Sequence, residues 1–278
     1  MEMYFFLKVF SLYLRNAPTF AYKITYKIIY SLLFHVLKMR QKTVLTNLRW
    51  AFPDKNEEWY NNTMKHCYKF FTKEFLDFIS FPKNYSSSKI KFKNLEVLSS
   101  AHAMKKGIIL VGSHYGSFDK LFYALSQEEY NLTGVAYKQN NSGADIFFKQ
   151  IRENFMEDQL YKGGDVKQLK NSLVKNNILI LLSDQDAKKK GVKAKFFGID
   201  SSTHSGAAIL SKRNKSPIIY ASITSKNNIY EVEFVKINTS GSINDIVQQY
   251  TSEIEKTIIN NPEQYFWFHK RWKSVKAY

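Results

Sequence analysis

The chain has 278 residues, 44% of them hydrophobic and 16% aromatic, with 41 Lys and Arg against 24 Asp and Glu, a net charge of +17. That length and apolar content support a sizeable core and exclude intrinsic disorder. The charge points to an anionic partner, whether nucleic acid, acidic protein or anionic lipid; the single cysteine, Cys67, excludes an intramolecular disulfide.

In chain order, residues 3–37 come first and are heavily apolar and aromatic, interrupted by Lys8, Arg15, Lys23 and Lys27. No run approaches the roughly 20 apolar residues that span a bilayer, and no small-residue cleavage site follows an apolar core. Basic residues interleaved with Phe, Tyr and Leu predict amphipathic helices lying in a membrane interface, over residues 1–38. Residues 40–80 read as helical, with apolar positions at helical spacing from Glu57 to Ile79. Pro82 to Ser88 reads as a polar loop. From there the pattern changes to short apolar runs separated by helix-length segments. Strands are expected at Ile108–Val111, Leu132–Tyr137, Ile178–Leu182, Pro217–Thr224 and Tyr230–Phe234. Helices are expected between and after them at Phe118–Ser126, Ala144–Glu153, Val166–Lys175, Ser205–Lys212 and Ser242–Asn260. This alternation predicts an α/β unit over residues 39–278, behind the helical amino terminus.

The run Ile108–Val111 ends abruptly in Gly112-Ser-His114-Tyr-Gly116-Ser-Phe-Asp119. His114 therefore lies at the carboxyl end of a buried strand, where open α/β sheets keep their ligands. An imidazole held by a carboxylate can deprotonate a hydroxyl at neutral pH. Of the six histidines, His114 alone has a carboxylate five positions later. Asp184-Gln185-Asp186 follows another apolar run and belongs at a second strand end. The basic segment Lys188–Lys190, Lys193 and Lys195 adjoins it. No Cys/His cluster has zinc spacing, and Gly163-Gly164 is a turn, because neither GxGxxG nor GxxxxGK[ST] occurs. His35, His66, His102 and His204 read as structural.

Four segments in order now carry a family likeness: the His114–Asp119 motif; Tyr137-Lys138 followed by Asp145 to Arg152; Asp184-Gln185-Asp186 followed by Phe196-Phe197-Gly198 and Thr203; and Pro262 to Trp272 with His269 and Arg271. Together they resemble the late acyltransferases of lipid A biosynthesis, the lauroyl/myristoyl transferase family. Asn47-Leu48 and Phe52-Pro53 resemble its amino-terminal region. The resemblance implies a mixed sheet flanked by helices, as in glycerolipid acyltransferases, at the cytoplasmic face of the bacterial inner membrane. It implies transfer of a fatty acyl chain from acyl carrier protein to a hydroxyl of an anionic lipid A precursor, with no metal or organic cofactor. By this resemblance His114 is the general base and Asp119 orients it. Gly116, Lys138, Arg152, Asp184, Gln185, Asp186, His269 and Arg271 are expected to contact substrate. Lys138 stands where the family usually has Arg, and Asp119 where lipid A enzymes more often have Glu.

Other lipid acceptors, such as a lysophospholipid, ornithine lipid or glycolipid, fit the first motif equally well. A basic nucleic-acid-binding protein fits the charge, but the chain shows no module interleaving stacking aromatics with basic residues, and that reading leaves the apolar amino terminus unexplained. No nucleic-acid partner is expected.

Overall fold

The computed structural model describes residues 1–227 and 229–278. Helices α1 (Glu2–Asn16), α2 (Thr19–Ser31), α3 (Gln41–Ala51), α4 (Glu57–Ile79) and the short α5 (Lys83–Ser86) precede the sheet. A wider π-type turn, Leu32–Val36, continues α2. Asn56 caps α4 by accepting from the Trp59 amide at 2.9 Å, and Glu57 and Glu58 complement the positive end of its dipole.

The sheet elements then alternate with helices: β1 (Lys89–Lys93), α6 (Leu95–Ala103), β2 (Ile108–Gly112), α7 (Phe118–Gln127), β3 (Leu132–Ala136), α8 (Ser142–Arg152), β4 (Asp158–Tyr161), α9 (Val166–Val174) and β5 (Ile178–Leu182). A hairpin of β6 (Val192–Phe196) and β7 (Ile199–Thr203) follows, then α10 (Gly206–Asn214), β8 (Ile218–Lys226), β9 (Ile229–Ile237) and α11 (Ile243–Asn260). A reciprocal capping box between Ser242 and Asp245 starts α11.

The main sheet has seven strands in the order β1-β9-β8-β2-β5-β3-β4. All neighbours run parallel except β8 and β9, so the sheet is mixed, as expected. Side-chain alternation splits the interior into two cores. Ile109, Val111 and Leu179 join α3, α10, α11 and the carboxy-terminal aromatics on one face. Ile108, Leu110, Ile178 and Ile180 join α7, α8 and the inner side of α1 on the other. β2 and β5 sit in the centre of the sheet, which is why both are continuous apolar runs.

All five predicted strands and all five predicted sheet helices are present, with end shifts of a few residues. Four strands lie outside the predicted set. β1 and β4 are the two edges of the sheet, and their sequences, KIKFK and DQLY, carry the charged and polar residues that edges tolerate. β6 and β7 form a separate two-stranded sheet within the lysine-rich segment. The predicted loop over Pro82–Ser88 contains the single turn α5.

The amino-terminal helices are amphipathic. Leu7 and Leu14 are buried against the core, the Ser11 hydroxyl donates to the Ile79 carbonyl (2.6 Å), and the Tyr22 hydroxyl donates to Asp77 (2.6 Å). The outward side keeps Phe6, Val9, Phe20, Ile24, Ile28, Leu32 and Val36 exposed. Among the described residues no helix is long and apolar enough to cross a membrane.

Candidate active site

The parallel register of β2 and β5 builds the centre of the site. Gly112 pairs with Leu182. His114 and Asp184 each follow two residues later, so neighbouring strands deliver them side by side. The His114 Nδ1 lies 2.9 Å from Asp184 Oδ1. Nδ1–H is thus the donor and Nε2 is left free to accept a proton. Burial disfavours the charged imidazole, but the Asp184 charge and hydrogen bond outweigh it and raise the His114 pKa. The same pairing outweighs burial at Asp184 and holds that carboxyl below its usual range. Gln185 places its side-chain amide 3.5 Å from both ring nitrogens.

The carboxylate on Nδ1 is therefore Asp184, not the predicted Asp119. Asp119 is the second residue of α7, whose turn carries it away from Nδ1. It stays near enough for its charge to act on His114, as the weakest of the influences raising that pKa. Burial pushes the Asp119 carboxyl up to about 6, against the opposing charges of Arg152 and His114.

Backbone pairing locks the histidine loop to the carboxy terminus. The Phe266 amide donates to the His114 carbonyl (2.9 Å) and the Gly116 amide to the Gln264 carbonyl (2.8 Å), with Tyr115 and Tyr265 bridged between them. Gly116 has φ +61°, and a Cβ there would stand 1.7 Å from the Ile223 carbonyl oxygen. Only glycine fits both constraints. Because its amide is already engaged, Gly116 offers no donor to an oxyanion; its part is to let the loop approach β8.

Two cavities meet at His114. The first, of about 430 Å³, lies over the carboxyl ends of β3, β4 and β5, with Phe122, Met156, Leu160, Leu169 and Leu210 in its wall. The second, of about 610 Å³, lies between α2, α4 and α7 and is walled by Ile29, Leu33, Phe71, Phe75, Phe148 and Phe268. His114, Phe118, Asp119 and Arg152 belong to both. Arg152 lines both cavities and donates to Gln159 at 2.7 Å.

Other predicted contact residues lie elsewhere. Arg271 is 1% exposed and donates to the Ser202 carbonyl (2.7 Å), Ser201 Oγ (3.0 Å) and Thr203 Oγ1 (2.6 Å). It clamps β7 and lines neither cavity. Asp186 accepts from the Lys188 amide (2.8 Å) and from the Ser274 amide and hydroxyl (3.2 and 2.8 Å). His269 Nε2 accepts from the Asp186 amide at 3.3 Å, and burial together with the Lys273 charge lowers its pKa to about 4. Asp186 and His269 therefore tie the carboxy-terminal segment to the loop after β5, and neither lines the two cavities. Lys138 is exposed and also outside both. Asn47 has a matching structural part: its side-chain amide donates to the Trp267 and His269 carbonyls at 2.7 and 2.8 Å.

The fold also brings to the first cavity Gln159, Tyr161 and Lys162, which no sequence pattern marks, and His204, which reads as structural in the sequence. Their only signal is position, within β4 or just beyond the ends of β4 and β7, and neither strand is among those expected from the sequence. Among the described residues no group of three metal-ligating side chains is assembled.

The sequence matches no curated protein. The family model for bacterial lipid A biosynthesis acyltransferases matches residues 2–274, nearly the whole chain. A strand-end imidazole–carboxylate pair between two largely apolar cavities is a coherent site for that chemistry, and the chain belongs to the bacterial lipid A biosynthesis acyltransferase family.

Proposed function

We propose that the protein transfers a fatty acyl chain from acyl carrier protein to a hydroxyl of a lipid A precursor, with His114 as general base. The observation that carries this reading is the His114–Asp184 pair at the junction of the two cavities. Acyl transfer brings a thioester and a hydroxyl together at one base, and two cavities sharing one imidazole provide that approach. His114 Nε2 takes the hydroxyl proton as the oxygen attacks the thioester carbonyl. The C–O bond forms, the C–S bond breaks, and the imidazolium returns its proton to the departing thiolate. Asp184 holds the tautomer and stabilises the imidazolium between those steps. Arg152, a cation in the wall of both cavities, is the side chain we assign to the tetrahedral oxyanion.

Residues 1–38 serve in this reading as the membrane-associating part and residues 39–278 as the acyltransferase unit. The exposed row Phe20, Ile24, Ile28, Leu32 and Val36 recurs every fourth residue and forms one apolar stripe. Ile29 and Leu33 of the same segment line the second cavity, so hydrocarbon can pass from a membrane toward His114. Lys23 and Lys27 flank the stripe and suit anionic head groups. In this reading the protein works at the cytoplasmic face of the bacterial inner membrane. The net charge of +17 steers an acidic carrier protein to it.

The test is transfer by purified protein from acyl carrier protein thioester to a lipid A precursor, read by mass spectrometry of the lipid. Addition of one acyl chain by the wild type and none by His114→Ala is expected. Transfer by folded His114→Ala at the wild-type rate defeats the mechanism. Acylation of a lysophospholipid or ornithine lipid in preference to the lipid A precursor reassigns the acceptor.

A further inference from the structure

Three residues that each follow a strand immediately converge at the outer end of the first cavity. Tyr137 follows β3, Lys162 follows β4, and His204 follows β7. Ala136 and Tyr161 are register partners, so Tyr137 and Lys162 leave the sheet together. The Lys162 amide donates to the Ala136 carbonyl at 2.8 Å, which fixes its backbone. Its ammonium lies 4.4 Å from the centre of the Tyr137 ring. It donates to the Tyr137 hydroxyl and to His204 Nε2, the latter at 3.1 Å. An ammonium has three protons and accepts nothing. His204 therefore serves as a neutral acceptor, and one Lys162 proton has no partner among these groups.

Among the described residues no carboxylate forms an ion pair with Lys162, and the two acidic side chains nearest in the fold are engaged elsewhere. Asp165 lines the same cavity, but its carboxylate caps α9 through the Lys167 amide at 2.8 Å. Asp145 is held by the Tyr161 hydroxyl and the Gln139 amide. A flexible lysine held by two neutral groups loses less freedom on binding an anion than a free one does.

We propose that Lys162, held by Tyr137 and His204, is a phosphate-ester-binding subsite at the outer end of the cavity that leads to His114. This rests on the acyl-transfer reading only for the source of the phosphate. Two sources share the chemistry: the phosphodiester of a donor's pantetheine arm, and a phosphate on the acceptor sugar. Lys162 binds as a point charge with one directed proton, so a tetrahedral oxyanion suits it without bidentate geometry.

The test is titration calorimetry on the full chain at fixed ionic strength with two matched pairs of probes. One pair is 4′-phosphopantetheine and pantetheine; the other is glucosamine 1-phosphate and glucosamine. In one pair, the phosphorylated probe is expected to bind about 10-fold or more tightly than its phosphate-free partner, the scale of one charge-assisted hydrogen bond. Lys162→Met should remove that preference and Lys162→Arg should retain most of it. The pair that shows it identifies the source. Lys170→Met, which removes an exposed lysine outside the cavity, should leave it intact. Absence of phosphate preference in the wild type, its survival in Lys162→Met, or an equal loss in Lys170→Met each overturns the subsite. These outcomes do not depend on turnover, so they separate this inference from failure of acyl transfer.

Discussion

Replacing Asp184 by Asn separates the structural assignment from the one suggested by sequence spacing. The side chain keeps its size, but the charge beside Nδ1 is lost. A 2.9 Å contact sets the two charge centres about 4 Å apart; at an effective dielectric of about 20 that interaction is worth about 4 kcal/mol. A barrier rise of that size corresponds to about three decades in rate. Loss of kcat between about 10²- and 10⁴-fold is therefore expected, with smaller changes in KM. The pH dependence is more diagnostic. His114 acts as a base only when neutral, so kcat/KM rises with pH through its raised pKa. Removing Asp184 removes the largest influence raising that value, so the acid limb should move to lower pH while the plateau falls. Asp119→Asn removes only the weakest of the influences raising that pKa and should leave the limb nearly in place, although altered substrate placement can still reduce rate. The assay is kcat/KM for acyl transfer across pH in the two variants. A limb displaced in Asp119→Asn and unmoved in Asp184→Asn refutes the assignment of Asp184 to Nδ1.

Gly116→Ala should cost about 3 kcal/mol or more in urea unfolding, because the positive φ and the Ile223 carbonyl both oppose a Cβ. Lys120 is 1% exposed, and its ammonium is held by Asp77 and the Tyr230 hydroxyl at 2.8 Å and by Glu74 at 3.2 Å. Lys120→Met leaves Asp77 and Glu74 with Lys73 as their one remaining cation and should destabilise by about 3 kcal/mol, partly recovered in the double variant with Asp77→Asn, as read by urea midpoints. Arg271→Ala should lower stability by a similar amount, about 3 kcal/mol, through loss of its grip on β7. It should leave the KM for a phosphorylated acceptor unchanged, and a selective rise in that KM would show that Arg271 touches substrate. Ile24→Asp with Ile28→Asp should reduce sedimentation with anionic vesicles about 10-fold or more while circular dichroism is unchanged, since both positions face outward.

The local pattern of the chain was sufficient for what depends on neighbours in sequence. The apolar runs Ile108–Val111 and Ile178–Leu182 marked the two central strands, because a strand buried on both faces must be apolar throughout. They placed His114 and Asp184 at strand ends. The amino-terminal alternation of basic and aromatic residues marked amphipathic helices, and the exposed stripe on α2 matches it. The motif Asp184-Gln185-Asp186 stood out as a unit, yet the strand ends at Leu182 and the chain bends at Gln185, so its two carboxylates do not share one face as they would on a continuing strand. Asp184 turns to His114 and Asp186 to the carboxy-terminal segment, so one motif holds two different jobs.

Tertiary structure decided the rest. Five residues separate His114 from Asp119 and seventy from Asp184, but the β2–β5 register brings the distant carboxylate to the imidazole, a relation between strands that no local pattern encodes. Arg271 and His269 resemble ligands in one dimension because both are polar and lie among aromatics. In the folded chain the two terminal nitrogens of Arg271 donate to three oxygens of β7, and His269 accepts from the Asp186 amide. Lys162 and His204 carried no motif at all. They became neighbours only through the ends of β4 and β7, short strands whose polar sequences are those of a sheet edge and an outlying hairpin. Spacing along the chain determines which face or end of an element a residue occupies; packing between elements determines which residue it meets there.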